Sequence, residues 1–375
     1  MMSLGILSTA ALLLPLPASP ALGAPGADHL YVAGAASDRL LGYRVGADGA
    51  PRLVADAPTG FGNLSVKESA DHRFLYVLTI TPAAAIFAYE IGAGGALSPV
   101  PGTPTVLSEP PLGMNLSPDG KHLVLLTGPS LDGGARLQGY SVAANGAPSP
   151  QGVPMAIGPA GIAGGPVPMP VVSPDSLNVY VSNYSGATVT RFELRADSTV
   201  SPARESVRTG GGPVSPTFSP DGQFLYTSNE HTSSVSAFRY QPTTGALVEV
   251  AGSPFPATGL TPHGIGLSPD GRFLYTPNAL TNDVTGFAVQ PDGALRPLPG
   301  SPFPGGPVGT MPGQVFVSSD GQRLYAVDLA GTSPTPTVAL RGYRIEPDGA
   351  LAPEAGEPVG TGLLFSAASL LVAGR

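Results

Sequence analysis

The sequence predicts an all-β chain, a seven-bladed β-propeller of four-stranded antiparallel blades, and three observations carry that prediction. Glycine (51) and proline (44) make up about a quarter of the 375 residues, a loading that marks either a turn-rich repeat or low complexity. Charged residues are 12% and apolar residues 42%; the charge content is roughly half the usual value at an ordinary apolar content, which excludes disorder. A turn motif recurs along the chain, and the segments between its copies alternate in polarity and are rich in Val, Phe, Tyr and Thr.

From the N-terminus, residues 1–23 carry no charge, and residues 4–16 form an apolar run of signal-peptide length, too short to span a bilayer. Ala21-Leu22-Gly23 followed by Ala24 supplies small residues for cleavage, although the first basic residue is Arg39. We expect a leader over residues 1–23, export to the cell envelope or beyond, and one propeller domain over residues 24–375. The chain has no cysteine, which excludes a thiolate nucleophile, a cysteine-ligated metal, disulfides and a lipid-modified N-terminus. It has no tryptophan either, so a repeat built on a Trp-Asp signature is excluded. A net charge of -8 with Lys67 and Lys121 as the only lysines leaves no basic stripe for nucleic acid.

Past the leader the repeat sets the elements. Its clearest copies are Leu267-Ser268-Pro269-Asp270-Gly271-Arg272-Phe273-Leu274-Tyr275 and Phe218-Ser219-Pro220-Asp221-Gly222-Gln223-Phe224-Leu225-Tyr226; weaker ones begin at Leu116, Val172 and Val317. In Ser-Pro-Asp-Gly the proline presets φ, the aspartate tolerates the next position and the glycine takes the left-handed one, which together make a tight hairpin. Alternating segments such as Val235-Ser236-Ala237-Phe238 follow, and a second turn such as Asp292-Gly293-Ala294-Leu295 closes each unit. The register falls at Tyr31, Tyr76, Val124, Tyr180, Tyr226, Tyr275 and Tyr325. Each unit therefore reads as strands A to D, with the Ser-Pro-Asp-Gly turn between A and B. One such sheet cannot bury both faces, whereas seven packed radially can.

The first strand, Leu30-Tyr31-Val32-Ala33-Gly34, reads as a strand B without its own A. Two readings of the C-terminus stay open. Either Leu363-Leu364-Phe365-Ser366 supplies strand A and Leu370-Leu371-Val372-Ala373-Gly374 is a redundant copy of B, or the register is off by one strand; in both cases the two ends close the ring in one blade. Because strands alternate direction, the A–B and C–D turns share one face and the B–C and D–A connections share the other. Functional groups belong on the second face, since the turn residues are consumed by the backbone. The asparagines ending several strands B are expected to cap their own loops.

The repeat in Pro262-His263-Gly264-Ile265-Gly266-Leu267-Ser268-Pro269-Asp270-Gly271, with Gly252-Ser253-Pro254-Phe255, resembles the lactonase-type seven-bladed propellers, the family of 6-phosphogluconolactonase and the carboxymuconate lactonising enzyme. The resemblance covers about residues 28–375 and implies a lactone hydrolase acting on a small molecule without a cofactor. Asn229-Glu230 matches the family's Asn-Glu pair at the end of a strand B. The family's Pro-Arg-His stretch is replaced by Pro213-Val214-Ser215-Pro216. Its Pro-His-Gln stretch reads Pro312-Gly313-Gln314, ahead of Asp328-Leu329-Ala330-Gly331, and its expected later arginine is replaced by Pro277-Asn278-Ala279.

From the residues themselves, Glu230 and His231 lie on a B–C connection and His263 precedes the next strand A, so the three are expected at the channel mouth on one face. Glu230 and His263 are the candidate base and acid for opening a lactone, with Arg208 from a D–A connection polarising the carbonyl. His231, Tyr184 and Asn229 are the candidate substrate contacts. The competing expectations are a solvated loop charge or an ion pair with Arg239 for Glu230, and a loop histidine bonded to backbone for His263. His29, His72 and His122 receive no role. No His-x-His or Glu-x-x-His spacing points to a metal; Asp283 and Asp328 are the carboxylates a calcium ion at the mouth would use. An unphosphorylated sugar or aliphatic lactone is the expected substrate, because the face lacks Arg and Lys to hold phosphate. The alternative is a non-catalytic secreted propeller that binds a glycan, peptide or envelope component. A monomer is expected.

Overall fold

The structure is a computed structural model that describes residues 26–46, 48–128, 134–157, 169–306, 310–330, 337–354, 358–366 and 368–374; the leader expected over residues 1–23 lies outside them. Seven antiparallel sheets form seven blades, each with strand order A-B-C-D outward from the centre. Blade 1 takes its strands B to D from Gly26–Ala33, Arg39–Val45 and Pro51–Pro58. Blade 5, typical of the rest, comprises Pro213–Phe218, Phe224–Asn229, Ser234–Gln241 and Ala246–Glu249. In blades 2, 5, 6 and 7 strand D is interrupted by a turn, and a short second piece such as Phe255–Pro256 returns to pair with the start of strand C.

Strands A touch one another from blade to blade around the channel. Strand A of blade 1, Ala368–Gly374, packs against Phe61–Glu68 of blade 2 on one side and Met311–Val317 of blade 7 on the other. Ala368–Gly374 pairs antiparallel with Gly26–Ala33, placing Tyr31 opposite Leu370. This corrects the first reading of the C-terminus. Leu363-Leu364-Phe365-Ser366 is not a strand but a clasp: Leu363 is buried, the Ala35 N–H donates to the Phe365 carbonyl (2.7 Å), and the Ser366 hydroxyl donates to the Ala33 carbonyl (3.2 Å). The likeness of the two ends is that of pairing partners that bury the same faces.

The apolar core lies between blades. Phe224 and Tyr226 of blade 5, for example, pack with Leu274, Phe287 and Leu295 of blade 6. Each register tyrosine is fully buried and sends its hydroxyl to a C–D turn of the following blade: Tyr31 to the Gly95 carbonyl (2.9 Å), Tyr76 to Gly146 (2.9 Å), Tyr226 to Gly293 (3.1 Å), Tyr275 to Gly349 (2.7 Å), Tyr180 to Gly245, and Tyr325 of blade 7 back to Gly49 of blade 1 (3.5 Å). Blade 3 has Val124 instead. There the carbonyl of Ser198 occupies the space beside Gly139, so close that a Cβ on Gly139 would sit 1.6 Å from it, and His122 Nδ1 meets the Ser198 hydroxyl at 2.6 Å. His122, given no role from sequence, thus supplies the link that the valine cannot.

The turn chemistry matches its sequence. In Ser219-Pro220-Asp221-Gly222 the serine hydroxyl donates to Asp221 (2.6 Å) and accepts the Phe224 N–H (3.0 Å), while Asp221 accepts the Gln223 N–H (3.0 Å). Ser69-Ala70-Asp71-His72 makes the same bonds with His72 at φ +56° in the glycine position, a copy that the sequence motif hides.

Candidate functional site

The B–C and D–A connections of blades 4, 5 and 6 bring four of the sequence-predicted side chains together. Strand B of blade 5 ends at Asn229, and Glu230 and His231 continue it in a ladder against the preceding D–A connection: the Glu230 N–H donates to the Gly212 carbonyl (2.9 Å) and the His231 N–H to the Gly211 carbonyl (3.0 Å). Gly212 has φ +69°, and a Cβ there would crowd His231 at 3.1–3.2 Å, so glycine is required on both counts. His263 comes from the segment leading into blade 6, where its N–H donates to the Pro277 carbonyl (3.0 Å) and Pro262 bridges Asn278. Its imidazole reaches across the blade boundary, and Nδ1 bonds Glu230 Oε1. From blade 4, the Tyr184 hydroxyl donates to Glu230 Oε2 (2.7 Å). The Tyr184 ring meets His231 edge-on, with centroids 4.7 Å apart at 73°.

These contacts fix the electrostatics. Glu230 is 9% exposed and His263 19% at its side chain, so both are screened from bulk water without being sealed from it. An ionised carboxylate only accepts, so the Glu230–His263 bond places the proton on Nδ1 and leaves Nε2 as the basic nitrogen. Nε2 has no hydrogen-bond partner among the described residues. The Tyr184 phenol is pushed far above its ordinary value by desolvation, then by its bond to Glu230 and that group's charge, so it remains a donor at any working pH.

A residue that sequence reasoning missed holds the histidine from behind. Ser215 lies in a bulge of strand A of blade 5, between Val214 and Thr217, at φ +51°, and its hydroxyl donates to the His263 carbonyl (3.0 Å). The Pro213-Val214-Ser215-Pro216 departure from the family pattern was its only sequence signal.

Other predicted residues fall elsewhere. Arg208 ends strand D of blade 4, the outermost strand, opposite Thr188; it is exposed at the periphery rather than on a D–A connection over the mouth, and none of the hydrogen bonds or ion pairs of the Glu230 cluster involves it. Asn229 is fully buried and donates to the hydroxyls of Ser234 and Ser236 (both 3.0 Å). It bonds strand C rather than its own loop, as does Asn278 to Thr285 (2.8 Å); only Asn183 caps its turn, accepting the Gly186 N–H (2.9 Å). Arg239 does not pair with Glu230 but lies over the Phe224 ring at 4.6 Å. Asp328 is not a free mouth carboxylate: it sits inside strand B of blade 7, buried and ion-paired with Arg341. Asp283 accepts from Asn278 (2.5 Å). Among the described residues no three His, Asp or Glu side chains are grouped to hold a metal. A Cβ on Gly313 would lie 2.2 Å from the Leu329 side chain, so a histidine there requires that leucine to move.

Residues 203–328 match the family model described as lactonase, 7-bladed beta-propeller. That span runs from the end of blade 4 into strand B of blade 7 and includes both Glu230 and His263. Among solved structures, the chain is similar to a periplasmic gluconolactonase of Pseudomonas aeruginosa, with 22% identity over 93% of this chain and 99% of that one and a TM-score of 0.72. It is also similar to a Bacteroides uniformis protein provisionally named a 6-phosphogluconolactonase, with 21% identity over 92% and 99% and a TM-score of 0.70. A third likeness is to a Lactobacillus plantarum protein, with 18% identity over 92% and 99% and a TM-score of 0.73. At these identities the likenesses establish the fold. No curated protein matches the chain.

Proposed function

From a chain that folds as a lactonase-type seven-bladed propeller and carries that family's sequence pattern over residues 203–328, we propose an exported, monomeric lactone hydrolase that opens an unphosphorylated lactone at the channel mouth. The observation that carries this reading is the Tyr184–Glu230–His263 chain, which leaves His263 Nε2 as an oriented base without a partner among the described residues. In this scheme Nε2 takes a proton from water as the water oxygen bonds the lactone carbonyl carbon. The tetrahedral intermediate collapses with cleavage of the ring C–O bond, and the departing alkoxide takes the proton back from the imidazolium, giving a hydroxy acid. Glu230 takes no proton; it holds the ring in one tautomer and stabilises the imidazolium, and Tyr184 fixes the carboxylate. His231 and Tyr184 form the wall against which the lactone lies.

Export is supported by the uncharged stretch over residues 1–23 and its small-residue end, and by the periplasmic setting named for the Pseudomonas aeruginosa relative; N-terminal sequencing of the processed chain tests it, with Ala24 expected first. The lack of any arginine in the cluster favours a second reading, a non-catalytic secreted propeller that holds a glycan, peptide or envelope component on the same face. Substitution separates the two. Glu230→Gln and His263→Gln are each expected to lower kcat for lactone opening by about 100-fold or more, with a folded ring retained; unchanged turnover in both variants would sink the assignment.

A further inference from the structure

The face that carries the Glu230 cluster also carries most of the molecule's exposed large apolar side chains. Of thirteen such residues among the described ones, seven lie on B–C or D–A connections or at the adjoining strand ends: Phe61, Ile80, Leu260, Leu280, Met311, Leu364 and Phe365. The opposite face has Leu177 alone, and the remaining five lie on outer strands D or their continuations. The seven are grouped. Leu260 and Leu280 belong to the connections of blade 6, where the Leu280 N–H donates to the Leu260 carbonyl (3.3 Å). Met311 opens strand A of blade 7, Leu364 and Phe365 lead into strand A of blade 1, and Phe61 opens strand A of blade 2 beside Ile80. Blades 6, 7, 1 and 2 are consecutive around the ring, so these residues follow one another around the channel mouth in an arc whose first member, Leu260, lies three residues before His263 on the same connection.

We infer that this arc receives an apolar substituent on the lactone, so that the substrate class is an alkyl- or aryl-substituted lactone rather than a polyhydroxylated sugar lactone. The inference rests on the lactone-hydrolase reading above and specifies it. Three observations select this occupant. The arc starts at Leu260, three residues before His263 on the same connection into blade 6, so it shares that connection with the Tyr184–Glu230–His263 site. Its members at strand starts, Phe61 and Met311, stand on the innermost strands, where a small molecule entering the mouth passes. The arc also offers no free cation: among the described residues on this face of blades 6, 7, 1 and 2, the arginines are Arg39, paired with Asp56, and Arg341, paired with Asp328. A phosphate or a second carboxylate finds no partner there, whereas an alkyl chain laid on Phe61 and Phe365, 49% and 45% exposed, removes apolar surface from water on both sides.

The test is a homologous series: unsubstituted δ-valerolactone, δ-lactones with alkyl tails of increasing length, and δ-gluconolactone, with binding of the matching non-hydrolysable δ-lactams measured by calorimetry. For the wild type, kcat/KM is expected to rise by about two- to fourfold per added methylene until the arc is filled, mostly through KM, and lactam affinity to rise in parallel. In Phe61→Ser and Phe365→Ser both slopes should flatten. Equal kcat/KM for short, long and sugar lactones, or slopes unchanged in both variants, overturns the apolar site while leaving hydrolysis intact. If no lactone is opened but lactams still bind more tightly with tail length, hydrolysis fails and the apolar site stands. Neither turnover nor lactam binding would end both.

Discussion

Tyr226 shows how much of this molecule turns on single side chains. Its ring fills the boundary between blades 5 and 6, and its hydroxyl satisfies the Gly293 carbonyl, so Tyr226→Phe keeps the packing and strands a buried acceptor. We expect a loss of about 1–3 kcal/mol in denaturant unfolding; a change within ±0.3 kcal/mol would mean that the glycine carbonyl finds another donor. The register tyrosines were legible because they follow the turn motif at a fixed spacing in strands of period two. The residues at left-handed φ without glycine were not. His72, Ser198 and Ser215 adopt that conformation against their intrinsic preference, and nothing local announces it, whereas Ser176 stands at the glycine position of the copy that begins at Val172. The partners of Glu230 were equally hidden in detail: sequence placed Glu230 and His263 on one face, but their direct bond, and the role it gives the carboxylate as the histidine's support, depends on side-chain reach across a blade boundary.

Individual strands reuse one polar device with different residues. Beneath the B–C connections, Asn229 bonds Ser236 in blade 5 and Asn278 bonds Thr285 in blade 6; at the matching register in blade 7 stand Asp328 and Arg341. Burial pushes the Asp328 carboxyl up to about 6 in spite of the Arg341 charge and hydrogen bonds, and two guanidinium nitrogens of Arg341 are buried without a partner among the described residues. Asp328→Asn with Arg341→Thr, the blade 6 pair, replaces the buried ion pair by a neutral hydrogen-bonded one and is expected to be neutral to stabilising, by up to about 4 kcal/mol, at pH 7. The sign of the pH dependence follows from the raised carboxyl. A folded-state value above the unfolded one, about 4, gives stability that is present below pH 4 and lost as pH rises through 6, so the double variant gains on the wild type across that interval. Parallel unfolding curves at pH 4 and pH 7 would contradict it. Sequence alone places Asp328 among the carboxylates of the mouth; the strand runs through it because the pairing of blade 7 extends to Ala330.

At the scale of the whole ring, closure is made by strand A of blade 1, by the clasp at Phe365 and Ser366, and by Tyr325 reaching Gly49. Deleting residues 368–374 would expose the inner edge of Gly26–Ala33 and open the circle, and we expect the melting temperature to fall by about 10 °C or more; an unchanged melt would show that the clasp alone closes the ring. That the ends meet was readable from their likeness. Which end segment pairs was not, because two apolar stretches compete and only the register of the completed blade chooses between them. The same geometry gives the molecule two unlike faces, one of tight Ser-Pro-Asp-Gly turns and one bearing the Tyr184–Glu230–His263 chain and its apolar arc.

The most direct test of that functional face is acid release by the purified, folded chain in weakly buffered solution containing unphosphorylated lactones, with Glu230→Gln alongside. The account predicts lactone opening well above the spontaneous rate, reduced by about 100-fold in the variant. Release no faster than the spontaneous rate for every lactone, or equal release by the variant, would contradict it.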